Sequence, residues 1–119
     1  MARLNPEDLA LWSGGQWAPS PPHEIEGVSN DTRSLQPNNL YVAIRGERFD
    51  GHHFVGEAAK RGACAAVVAR TWNAAATPAG LPLLLVDDPS AALRSMAAGH
   101  RRQVGLEIVA VTGSAGKST

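Results

Sequence analysis

The sequence holds a single cysteine, Cys64. No disulfide can close within one chain, and the paired cysteines of a metal knot are missing. Cys64 lies in the apolar run Gly62–Val68, where it reads as a small buried residue, and a cytoplasmic setting fits. Excess charge is also lacking: 11 Lys and Arg offset 11 Asp and Glu. Nothing in that balance draws the chain to nucleic acid or to an anionic membrane. Arg101-Arg102 after His100 is a short basic cluster that suits a helix end better than a binding patch. No apolar run approaches the ~18 residues a membrane span needs. Met1-Ala-Arg leads to Pro6, Glu7 and Asp8 instead of an apolar core, so no export signal is expected. A chain of 119 residues has room for one modest domain.

What is present alternates between helical and strand patterns, which predicts an α/β fold. Asn5-Pro6-Glu7-Asp8 has the marks of a helix start, with a capping side chain, proline in the first turn and acids at the positive end. Gly14-Gly15 stops that helix, and Trp12 and Trp17 read as core or rim aromatics. Ala18-Pro19-Ser20-Pro21-Pro22 is a connector. Glu24–Val28, Leu40–Ile44, Ala63–Ala69 and Leu81–Val86 read as strands, the later ones as continuous apolar runs of the kind buried on both faces. A helix follows His52-His53 and ends at Lys60-Arg61-Gly62. Adjacent histidines on a helix point to different faces, so a metal pair is not expected there. Asp88-Pro89 opens a second long helix to about Gln103, with Leu93, Met96 and Ala97 as its apolar stripe.

Two stretches carry candidate chemistry. The first is the loop after strand Leu40–Ile44, holding Arg45, Gly46, Glu47, Arg48, Phe49, Asp50, Gly51 and His52. Its plain reading is a solvated turn with an ion pair; its functional reading is a ligand loop fixed by the strand beneath it. Asn30-Asp31-Thr32-Arg33 is similar: Asp31 and Arg33 can brace a turn, while Thr32 offers a hydroxyl. The second stretch is Glu107–Val111, expected as a strand, feeding Thr112-Gly113-Ser114-Ala115-Gly116-Lys117-Ser118-Thr119. Strand, glycine-rich loop and Gly-Lys-Ser are in the order of a phosphate-binding loop. Lys117 would reach ATP phosphates and Ser118 would hold Mg²⁺.

Taken in order, Asp31-Thr32-Arg33, the turn Pro37-Asn38-Asn39-Leu40, a strand closed by Gly46, and Asp50-Gly51-His52 followed by Phe54 resemble the N-terminal domain of the Mur ligases that accept UDP-MurNAc-peptides. The branch adding D-Ala-D-Ala is the nearer likeness; the branch adding the third residue of the peptide is second. The resemblance runs from about Leu9 to Thr119. It departs at Asn38-Asn39, where the family usually has Gly-Asp; Asn tolerates left-handed backbone, so the turn should survive. Thr112-Gly113-x-x-Gly116-Lys117-Ser118 matches the short phosphate-loop pattern of the same ligases.

The resemblance implies a division into residues 1–86, binding UDP-MurNAc, and residues 87–119, beginning an ATP-binding domain. It implies uracil contacts at Asn30, Thr32, Glu47, Arg48 and Phe49. Asp31, Arg33, Arg45, Gly46, Asp50 and His52 are held as lesser candidates, Arg45 and Asp50 as braces. It implies ATP phosphate contacts at Thr112 to Ser118, a catalytic Lys117, and Mg²⁺ on Ser118. The implied reaction is ATP-dependent joining of D-Ala-D-Ala to UDP-MurNAc-tripeptide through an acyl phosphate. The family places further ATP-site residues and a C-terminal domain beyond Thr119, so the 119-residue chain alone is expected to be inactive. Two alternatives stay open: the ligase adding the third residue, and a binding module for a UDP-sugar without chemistry.

Overall fold

The computed structural model describes residues 4–46, 50–72 and 80–112, the backbone alone from residue 104 on. Helix α1 spans Pro6–Ser13. It begins as its residue types dictate: Asn5 Oδ1 accepts the Glu7 N–H at 2.8 Å, Pro6 takes the first turn, and Glu7 and Asp8 sit at the positive end. Gly14 ends it in left-handed backbone at φ 71°.

Five strands follow: β1 Gln16–Ala18, β2 Val28–Ser29, β3 Leu40–Val42, β4 Ala65–Ala69 and β5 Leu83–Val86. Their order across the sheet is β1-β5-β4-β3-β2, all parallel except β1, which runs antiparallel to β5. Between β3 and β4 lie a 3₁₀ turn, Gly51–Phe54, and helix α2, Val55–Lys60. Helix α3, Pro89–Thr112, follows β5. The fold is mixed α/β, as the residue patterns indicate.

The strands alternate between two cores. Leu40, Val42, Ala65, Val67, Leu84 and Val86 face one layer, shared with Leu9 of α1 and with Ala92 and Met96 of α3. Tyr41, Ala43, Ala66, Val68 and Leu83 face the other, shared with Val55 and Ala58 of α2. A sheet covered on both faces needs apolar residues at every strand position, which is why the period of two is faint in the sequence.

The Pro37–Asn39 turn uses Asn38 in left-handed backbone at φ 66°. Asn39 is buried and spans the neighbouring segments: its Oδ1 accepts the Gln36 N–H at 2.9 Å and its Nδ2 donates to the Glu26 carbonyl at 3.0 Å. Asn38→Ala should therefore lose about 1 kcal/mol, while Asn38→Gly should lose almost nothing. Urea denaturation of both variants checks this; equal losses would show that the backbone angle is not what Asn38 supplies.

One expectation needs correction. The segment Glu107–Val111 is helical, the end of α3, and is not a strand. A strand requires a neighbour for its N–H and C=O groups, whereas a helix satisfies them within the segment. No strand among the described residues pairs with it. Of the expected α3 stripe, Met96 is buried, Leu93 half-buried and Ala97 exposed. Met96 is 3% exposed and Ala92 equally buried, both within the core that α1 shares.

Candidate functional site

Parallel strands of an open sheet leave their C-terminal ends free to hold loops, and clefts form there. Here β2 ends at Ser29 and leads into Asn30–Arg33, while its parallel neighbour β3 ends at Val42 and leads into Ile44–Gly46. Between these two loops lies a cleft of about 560 Å³, lined by Asn30, Asp31, Thr32, Arg33, Tyr41, Ile44, Gly46, Gly51 and Phe54.

The first wall is a self-braced turn. Asp31 Oδ1 accepts the Arg33 backbone N–H at 2.9 Å and the Arg33 Nε–H at 3.1 Å, and Oδ2 accepts from Nη2 at 2.9 Å. The Arg33 guanidinium holds the Asp31 carboxyl below its usual pKa, and the carboxylate raises that of Arg33. Ser29 Oγ accepts the Asp31 N–H at 3.1 Å. The pair is solvent-exposed, so its contribution to stability is small; its effect is to fix the shape of the turn. Bracing and lining the cleft are thus compatible for Asp31 and Arg33.

The second wall is tied at its neck. Arg45 and Asp50 form an antiparallel bridge, with Arg45 Nε 3.3 Å from Asp50 Oδ2. The Gly51 N–H donates to the Ile44 carbonyl at 2.9 Å, and the Tyr41 hydroxyl donates to the Gly51 carbonyl at 2.8 Å. Burial, helped by the charges of Asp31 and Asp50, pushes the Tyr41 pKa up to about 12, so the phenol remains a donor. Asp50 Oδ1 caps the 3₁₀ turn by accepting the His52 N–H at 3.0 Å. Burial pushes the Asp50 pKa up, but the amide and ring hydrogen bonds of His52, with Arg45 nearby, outweigh it and hold the carboxyl at about 2.

The sequence candidates separate accordingly. Asn30, Asp31, Thr32, Arg33 and Gly46 meet in the cleft. Arg45 and Asp50 brace it. His52 is corrected: it is 3% exposed, turned inward, and both ring nitrogens are engaged inside the protein, so it has no group to offer a ligand. Its neighbour Asp50 took the capping position and turned the histidine under the loop. Glu47, Arg48 and Phe49 lie outside the described residues, as do Gly113, Ser114, Ala115, Gly116, Lys117 and Ser118. Thr112 is the last residue of α3.

Three lining residues were not candidates from the sequence, Tyr41, Ile44 and Phe54, while Gly51 lay within the candidate loop. Phe54 could have been found. It is a large aromatic at the polar start of a helix, and it is 40% exposed. Exposed aromatics beside polar donors suit a flat ring. Cys64 is half-buried, donates its S–H to the Asn38 carbonyl at 3.3 Å, and burial pushes its pKa up to about 11, leaving an unreactive thiol. Among the described residues no group of His, Cys, Asp and Glu could hold a metal ion, and no helix is long and apolar enough to cross a membrane.

Comparison with known proteins gives a consistent picture. The family model described as Mur ligase family, catalytic domain, matches residues 24–101. The UDP-N-acetylmuramoyl-tripeptide–D-alanyl-D-alanine ligase of Bacillus subtilis is 39% identical over 97 residues, covering 80% of this chain and 20% of that protein. The UDP-N-acetylmuramoyl-L-alanyl-D-glutamate–2,6-diaminopimelate ligase of Streptomyces coelicolor is 41% identical over 108 residues, covering 88% of this chain and 21% of that protein. A crystal structure of MurF from Acinetobacter baumannii superposes with a TM-score of 0.74 at 27% identity, over 87% of this chain and 22% of that one. The chain spans about a fifth of the length of these curated relatives.

Proposed function

The chain belongs to the Mur ligase family, and from that premise we propose that it forms the nucleotide-binding end of a cytoplasmic, ATP-dependent ligase joining D-Ala-D-Ala to UDP-MurNAc-tripeptide. The observation that supports this reading is the cleft beyond β2 and β3. Its volume of about 560 Å³ falls within the range of small-ligand sites. Its apolar surfaces, Ile44, Tyr41 and Phe54, suit a flat base, and Asn30 and Thr32 supply side-chain groups for the uracil edge, which carries two acceptors around one N–H. Arg33 uses its Nε and Nη2 protons on Asp31 and has further N–H donors for a diphosphate.

The division into residues 1–86 and 87–119 belongs to the same proposal. So does the phosphate loop, which rests on its sequence pattern: Thr112 to Ser118 would hold the ATP phosphates, with Lys117 opposite the transferred group and Ser118 toward Mg²⁺. ATP would supply the phosphoryl group that turns a poorly electrophilic carboxylate into a reactive acyl phosphate. The role of the cleft in that scheme is positional. Binding energy gathered at the nucleotide, far from the reacting carboxylate, holds the substrate in register.

A second reading is favoured by the similarity to the diaminopimelate-adding ligase, as high as that to the D-Ala-D-Ala-adding one. The substrates for which these two ligases are named carry the same UDP-N-acetylmuramoyl group, so the cleft would serve either. Titration of the chain with UDP, followed by backbone amide shifts, tests the common part. Shifts are expected at residues 30–33, 41–46 and 51–54, with ADP much weaker. Thr32→Val should weaken UDP binding several-fold, about 1 kcal/mol for one hydrogen bond. Shifts confined to α1 and α3, or equal binding of ADP in the cleft, would overturn the reading.

A further inference from the structure

The buried imidazole of His52 links the end of β4 to Asp50 at the start of the 3₁₀ turn. On one side the Ala69 backbone N–H, at the end of β4, points at Nε2 from 3.0 Å. On the other, Nδ1 lies 2.6 Å from Asp50 Oδ1. A backbone amide can only donate, so Nε2 must present its lone pair. The neutral ring then carries its proton on Nδ1, where it donates to Asp50. The ring rests beside Trp72, centroids 5.4 Å apart.

Asp50 passes the constraint on. Its Oδ1 also accepts the His52 N–H and caps the 3₁₀ turn; its Oδ2 takes Arg45. That turn sets Gly51 against Ile44 and brings Phe54 to the cleft. We propose that His52 is a positioning residue for the nucleotide cleft: as its Nδ1–H tautomer it couples the end of β4 to Asp50, and through Asp50 fixes the wall formed by Ile44, Gly51 and Phe54. The ligand role rests on the nucleotide reading above; the tautomer does not. An apolar ring would fill the same volume, but it could not tie Ala69 to Asp50. The two bonds are directional, and together they leave one orientation of the carboxylate.

The two links can be cut separately. Glutamine places its amide near the position of Nε2, so His52→Gln keeps an acceptor for Ala69 and loses the donor to Asp50. Asparagine places its amide near Nδ1, so His52→Asn keeps the donor and leaves the Ala69 N–H unpaired. Affinity for UDP should fall about tenfold in His52→Gln and much less in His52→Asn. Thermal stability should fall in the opposite order, because His52→Asn buries an orphan donor. Asp50→Ala, which removes the acceptor for Nδ1–H, should weaken UDP binding at least as much as His52→Gln while the Ala69 amide keeps slow exchange. Parallel losses of affinity and stability in the two histidine variants would reduce His52 to a core residue. Nitrogen NMR of the wild-type ring should show a protonated Nδ1 and a bare Nε2. An Nε2–H ring would overturn the network even if UDP binds. An Nδ1–H ring in a chain that binds no UDP would overturn the ligand role together with the nucleotide reading.

Discussion

Gly51→Ala should cost the fold about 3 kcal/mol and remove UDP binding with it. A Cβ at this position would lie 2.8 Å from both the backbone N and the backbone O of Ile44, and 3.2 Å from the Ala43 carbonyl carbon. These are main-chain atoms of the segment that continues β3, so no side chain can rotate away. Overpacking of this kind costs about 1–3 kcal/mol. Two hydrogen bonds then stretch as the turn moves off the strand: Gly51 N–H to the Ile44 carbonyl, and Tyr41 hydroxyl to the Gly51 carbonyl. Each contributes roughly 1 kcal/mol, and the tyrosine is buried, so its hydroxyl would lose its partner without gaining water. Tyr41→Phe is the matched control, expected to lose only the second bond, about 1 kcal/mol. For a domain of this size each kcal/mol lowers the melting temperature by roughly 4–8 °C. A thermal melt of Gly51→Ala within a degree or two of wild type would show that the turn does not pack on Ile44. A folded Gly51→Ala that still binds UDP would separate the cleft from this wall.

The reason Gly51 was not legible as a packing glycine also explains which parts of the site were. Local chemistry was readable: Asn5, Pro6 and Gly14 bound α1 because caps act within one turn of the chain, and Asn38 adopts left-handed backbone for the same local reason. The strands were readable as apolar runs, though the Glu24–Val28 strand shrank to Val28–Ser29, with Ile25 only bridged to Leu4. What the residue pattern could not supply was the meeting of distant segments. Tyr41 looks like any strand aromatic until its hydroxyl is seen on Gly51. His52 looks like a ligand-facing histidine until β4 is laid beside it and Ala69 takes its Nε2. Strand β1 was invisible because three residues between a helix stop and a proline-rich connector carry almost no periodicity; only the edge of β5 makes Gln16–Ala18 a strand. The error at Glu107–Val111 is of the same type. A β-branched run fits a strand, but strand formation depends on a neighbour, and helix formation does not.

The contact between α3 and α1 yields the second large effect. Gly99 is buried where α3 crosses α1, and a Cβ there would lie 2.3, 2.5 and 2.6 Å from three ring atoms of Trp12. In an isolated helix, alanine is better than glycine by about 1 kcal/mol, so propensity alone predicts that Gly99→Ala stabilises. Packing predicts the reverse. Trp12 is half-buried against the core that holds Leu9, Ala92 and Met96, and its indole cannot retreat without opening that layer. Overpacking at such a site reaches 3 kcal/mol or more, so the net loss expected for Gly99→Ala is about 2 kcal/mol. Trp12→Leu removes the obstructing ring. On that background Gly99→Ala should become neutral or stabilising, giving a coupling energy of about 2 kcal/mol in a double-mutant cycle. Urea denaturation of the four proteins measures it. The result also bears on the proposed division at Val86, because a helix whose packing was confined to residues beyond that point would not couple to Trp12. Additive effects, or a raised melting temperature for Gly99→Ala alone, would detach α3 from α1 and return it to a separate unit. Strong coupling would make α3 an integral wall of the domain that carries the cleft, and any boundary would have to fall after Gly99.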